Sequence, residues 1–200
     1  MNSILGRMVV ASLLSAVVIF LFGFVYWTMV PMPEWGNLNI PEMKLDDFND
    51  AVKSFDKGTY VTQQYTGEPP EIFQDRVESK PVIVMSIDPD GAPMPDMMGM
   101  AEGLLHGWLS AFVVCVMLTM AAPGLSTFGA RFCFVITAGV FGSMWCQIGD
   151  SIWWHRSCGS TTWLMVYDIV AWSLAAVVLA AMVNKTPAPE GIADSPAGDS

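Results

Sequence analysis

Five ionisable residues sit at neighbouring levels of the apolar segments and are the chain's main candidates for chemistry: Glu102, His106, Asp150, His155 and Asp168. Glu102 and His106 are four apart, a spacing that puts both on one face of a helix. Asp150 and His155 fall where a third apolar segment ends, and Asp168 lies about 10 Å inside the fourth, counting 1.5 Å per residue. Two imidazoles and three carboxylates make a donor set for a transition metal ion such as Zn, Fe or Mn, with Gln147 and Tyr167 as outer hydrogen-bond partners. The spacing matches neither H-E-x-x-H nor paired E-x-x-H. The same residues therefore also read as a structural network, in which Glu102 or Asp150 pairs with Arg156 and Asp168 takes a Trp or His donor. A proton or substrate path through Asp168 is a third reading, because ionisable groups at membrane depth turn towards a bundle interior, a partner or a wet cavity.

Three further features carry weaker signals. Met94, Met97, Met98 and Met100 cluster in Pro-Met-Pro-Asp-Met-Met-Gly-Met, and thioethers are soft ligands that suit Cu(I). Methionine is also adaptable packing, and 15 are spread through the chain, so interface packing competes with copper. Gly99, Gly103 and Gly107 form a G-x-x-x-G-x-x-x-G stripe that lets another helix approach closely, through Ala138 and Gly142, through Ala171 and Ala175, or from another subunit. Cys115, Cys133, Cys146 and Cys158 form no CxxC pair, which argues against a disulfide framework or a zinc ribbon. Cys158 with His155 would be a nucleophile pair only by proximity in sequence. No P-loop, dinucleotide fingerprint or Ser-His-Asp order occurs.

The elements that must position these residues are membrane spans. Of 200 residues, 53% are hydrophobic and only 14% charged, and the mean hydropathy is positive, which reads as an integral membrane protein. Residues 8–30 carry no charge and can cross a hydrocarbon core of about 30 Å. The run exceeds the short core of a cleavable signal and ends in Tyr26, Trp27 and Pro31, so an uncleaved signal anchor is expected. Further spans are expected at 101–122, closed by Pro123 and Gly124, at 132–153 and at 161–183. Residues 123–131 and 154–160 are then short loops. Asp168 in the last span costs about 2.5–3.5 kcal/mol at a helix centre, offset by its Leu, Ile and Val neighbours, and is expected to face protein.

Arg7, Arg131 and Lys185 mark one side of this topology and Arg156 alone the other, so both termini are expected in the cytoplasm. An aromatic belt of Tyr26, Trp27, Trp35, Trp108, Trp153, Trp154 and Trp163 falls at the opposite ends. Residues 1–7 are a cytoplasmic start, and 31–100 an extracytoplasmic insert with 13 acidic and five basic residues.

Within the insert, Leu45, Phe48, Val52 and Phe55 recur at helical spacing behind Asp46 and Asp47, and Gly58 ends the pattern. Thr59–Tyr65 and Pro81–Ile87 have strand character, Asp88-Pro89-Asp90-Gly91 makes a turn, and prolines 31, 33, 41, 69, 70, 93 and 95 read as extended connectors. The insert is too small for a strong core of its own and is expected to rest on the ends of the spans. The polar tail 184–200 is expected to be disordered.

The expected fold class is an all-α integral membrane protein of four transmembrane helices with a small α+β insert between helices 1 and 2. The net charge of -10 excludes a nucleic-acid partner held by a basic patch. The leading functional expectation is a non-enzymatic accessory or scaffold subunit in a bacterial inner membrane. It would contact the lipid bilayer and another membrane or periplasmic protein, or associate with itself. A metal-dependent or redox protein and a small oligomeric transporter are the alternatives.

Overall fold

The computed structural model describes residues 4–31, 42–62, 65–91, 93 and 95–183. Trp35, Met94, Pro33, Pro41 and the tail after residue 183 lie outside them. The elements in chain order are α1 (Ile4–Met29), α2 (Glu42–Val52), β1 (Gly58–Val61), α3 (Pro70–Ser79), β2 (Val84–Ile87), α4 (Met97–Ala121), α5 (Phe128–Ser143), α6 (Gly149–Trp153) and α7 (Cys158–Met182). A 3₁₀ turn, Ala122–Gly124, closes α4 where Pro123 and Gly124 predict a stop, and Thr127 caps α5 by accepting from the Ala130 amide at 3.1 Å. Between α5 and α6 the helix widens into a π turn, Met144–Ile148.

Four helical stretches are long and apolar enough to cross a membrane: Ile4–Met29, Met97–Gly124, Phe128–Trp153 and Cys158–Met182. Several of their hydroxyls bond within their own helix, although the buried Thr161 hydroxyl has no hydrogen-bond partner among the described residues. Ser15, Thr28, Thr119, Thr162 and Ser173 each donate to the carbonyl four residues back, so no water is needed to satisfy them.

The chain divides into two compact units. The first comprises Met1–Pro31, Met98–Met144 and Met165–Ser200. Its core draws on all four long helices, through Ala11, Val114, Cys115, Leu118, Val135, Ala176, Leu179 and Val183. Small side chains dominate the packed face of α7, where Ala171, Ala175, Ala176 and Ala180 are buried, which lets backbones approach closely.

The second unit is Met32–Met97 together with Trp145–Leu164. Strands β1 and β2 pair antiparallel, Gly58 opposite Ile87 and Val61 opposite Val84. The turn at residues 88–91 forms as read: the Gly91 amide donates to the Asp88 carbonyl at 3.1 Å, with Gly91 at φ +67°, where a side chain is disfavoured.

Two local expectations are corrected. Asp46 and Asp47 do not open α2, which begins earlier, at Glu42. Pro70 is not extended linker: it occupies the first turn of α3, where a missing N–H costs nothing, while Pro69 before it keeps an extended backbone at φ -53°, ψ 141°.

That helix is anchored by an ion pair. Arg76 donates to Glu68 and covers the Phe73 ring, with 5.6 Å to the centroid, and Phe73 meets Tyr65 edge-on. The Thr66 hydroxyl, aided by backbone amides and the Arg76 guanidinium, holds Glu68 below the usual carboxylate range. A carboxyl lowered by folding stabilises above its unfolded pKa and loses that contribution as pH falls through the folded value. The Tyr65–Phe73 contact is therefore expected to loosen below about pH 4. In Glu68→Gln that acid limb should be flatter, as read by near-UV circular dichroism across a pH series.

Candidate functional site

The structure treats the five sequence candidates differently. Asp168, half-buried on α7, accepts a hydrogen bond of 2.9 Å from the buried Ser143 hydroxyl at the end of α5. It faces protein, as expected, but this donor is a serine rather than a Trp or His. The Ser143 hydroxyl, next to the π turn, bridges α5 to α7 through this carboxylate.

Asp150 belongs to the connection into α7. Arg156 pairs with it at 2.9 Å and donates to Gln147 Oε1 at 3.3 Å, and the Asp150 carbonyl accepts from the Trp154 and Arg156 amides. The Asp150–Arg156 pair is the one that the network reading names, and Gln147 serves the arginine. His155 lies between these residues with φ at 52°, a left-handed geometry that histidine tolerates better than most side chains. Its position in the turn is thus explained by backbone shape, and its ring is exposed.

Glu102 and His106 share an exposed face of α4. Neither has a side-chain partner among the described residues. Also among the described residues, no three His, Cys, Asp or Glu side chains form a group able to hold a metal ion. Met97, Met98 and Met100 occupy the first turn of α4 and are exposed. Cys115 is buried, and Cys133, Cys146 and Cys158 are exposed free thiols.

Gly103 and Gly107 of the glycine stripe differ in their surroundings. A Cβ on Gly107 would lie 3.9 Å from the Ala16 Cβ, so its neighbour is α1 rather than the α5 or α7 alanines, and Gly103 faces open space. Trp108, expected in the aromatic belt, donates its indole N–H to the fully buried Ser12 at 3.1 Å, on the same α1–α4 seam.

The glycines that do govern packing are elsewhere. A Cβ on Gly139 would fall 2.4 Å from Trp172 Cγ, and one on Gly23 would fall 2.9 Å from the Tyr167 hydroxyl. Tyr167 is the centre of an aromatic group, stacked on Phe22 at 5.6 Å and tilted against Tyr26 and Trp27. Arg131, read only as a topology marker, is 7% exposed; its Nε donates to the Ala180 carbonyl at 2.9 Å, and Nη1 to Leu125 and Ser126.

No family model, curated protein or solved structure matches the chain.

Proposed function

We propose that the protein is a non-enzymatic accessory or scaffold subunit of a membrane complex, and that the insert is its docking element. One observation carries the reading: α2 keeps an apolar pair partly open to its surroundings among the described residues. Leu45 is 41% and Phe48 39% exposed, on a helix whose remaining described side chains are almost all exposed too. A half-apolar helix left partly open is suited to lie in a partner's groove.

Glu42, Asp46, Asp47 and Asp50 against Lys44 make that helix acidic, which disfavours an anionic lipid surface and favours a groove with a basic rim. The polar residues that would serve chemistry support the same reading, since Asp150 and Asp168 are engaged in pairs that hold helices and turns together. On this reading the four helices cross a bacterial inner membrane as an uncleaved anchor and three further spans. Arg7, Arg131 and Lys185 then lie on the cytoplasmic side, with both termini, and the insert lies outside.

Purification from native membranes in mild detergent should retain a partner protein in stoichiometric amount. Phe48→Asp should weaken that association by roughly thirtyfold, the loss of about 2 kcal/mol expected from removing an aromatic anchor. Retention of the same partner by Phe48→Asp would remove α2 from the interface.

A further inference from the structure

The exposed face of α4 is a continuous stripe of Glu102, His106, Leu109, Val113, Met117 and Met120, at spacings of four, three, four, four and three. Leu109, Val113 and Met120 are among the chain's openly exposed large side chains, and lipid can cover them. Lipid tails cannot satisfy Glu102 and His106, which have no partner among the described residues while standing on a helix long and apolar enough to span.

The stripe supplies its own complement. When two parallel copies of α4 pack about a two-fold axis, apolar residues meet apolar residues, and an acid on each copy comes within side-chain reach of a base one turn along the other. Gly103 borders the stripe with no atom near its would-be Cβ, so nothing on that side holds the helices apart. The 4,3 spacing is the one that interlocks side chains between paired helices.

We infer that α4 forms a homodimer contact through this face, with Glu102 of each copy paired to His106 of the other. The occupant is a second copy of this chain, because acid and base are both present and in equal number on one open face. The contact is made by α4 and uses no residue of α2.

The test uses the full-length chain in native membranes with a photo-crosslinking amino acid at Leu109. The wild-type face should give a crosslinked dimer whose two halves carry different tags when two tagged forms are co-expressed. Glu102→His and His106→Glu each place like groups opposite one another and should lower the dimer yield at least fivefold. The double exchange Glu102→His with His106→Glu restores an acid and a base, and should return the yield to near the wild-type level. Crosslinks to lipid or to another protein alone would overturn the inference, as would a dimer yield that none of the substitutions changes. Recovery in the double exchange separates pairing from simple misfolding of the single variants.

Discussion

Alanine at position 139 is expected to pry α5 away from α7. The new Cβ would lie 2.4 Å from Trp172 Cγ and 2.5 Å from its Cβ, atoms so close to the α7 backbone that no rotation of the ring relieves the clash. Helix α7 must therefore move, at a cost of about 3 kcal/mol, the upper end of ordinary overpacking. The chain holds its own controls. Gly142→Ala meets no atom within 4 Å and should be neutral or slightly stabilising, since alanine favours a helix by up to about 1 kcal/mol. Gly23→Ala meets the far end of the Tyr167 ring, which can swing, and should lie between the two. Thermal unfolding in one detergent, followed by tryptophan fluorescence, ranks the three. Equal midpoints for the variants at 139 and 142 would contradict the α5–α7 packing described.

Removing the Arg131 side chain should have an effect of similar size through a different cause. Its guanidinium donates to carbonyls of Leu125, Ser126 and Ala180, tying the turn before α5 to the last turn of α7. Those carbonyls have few other donors: the end of a helix leaves its last acceptors open, and the positive charge also opposes the helix dipole favourably. Hydrogen bonds to a charged group contribute about 1.5–3 kcal/mol each, and they are not additive here. Arg131→Ala is expected to cost about 3 kcal/mol. Arg131→Lys should recover only part of this, because an ammonium cannot reach three acceptors with a planar fork. Hydrogen exchange should rise first at residues near Ala180. Unchanged exchange there would show that the α7 terminus does not depend on the arginine.

The parts of this fold that could be read in advance are those set by composition and short-range chemistry. Long uncharged runs lead to the four candidate spans, Pro123-Gly124 to the end of α4, and Asp88-Pro89-Asp90-Gly91 to the turn after β2. Contacts between distant residues could not be read this way. Gly99, Gly103 and Gly107 make a recognisable stripe, yet Gly103 meets no atom and Gly107 only an ordinary contact, while the unremarked Gly139 and Gly23 carry tight approaches. A glycine's role depends on which ring stands opposite, and that is fixed by helix rotation and offset rather than by local spacing.

The polar candidates illustrate the same limit. Depth along each helix placed five ionisable groups at neighbouring levels, but depth says nothing about azimuth. Asp168 turns to Ser143 and Asp150 to Arg156, whereas Glu102 and His106 lie on an exposed face. Helix α3 was missed because its proline pair resembles a linker, although Pro70 with Glu71 behind it is a good helix start. The apolar stripe of α2 was half legible: Leu45, Phe48 and Val52 announced an amphipathic helix, but only the fold reveals that Leu45 and Phe48 stay about 40% exposed.

Photo-crosslinking from position 48 of the full-length protein in native membranes tests the docking proposal most directly. A photoreactive side chain there should capture one dominant protein, with the crosslink mapping to an apolar groove with basic residues at its edge. Capture of lipid, of other parts of the same chain, or of nothing above background would contradict the proposal that this protein works by docking its insert onto a partner.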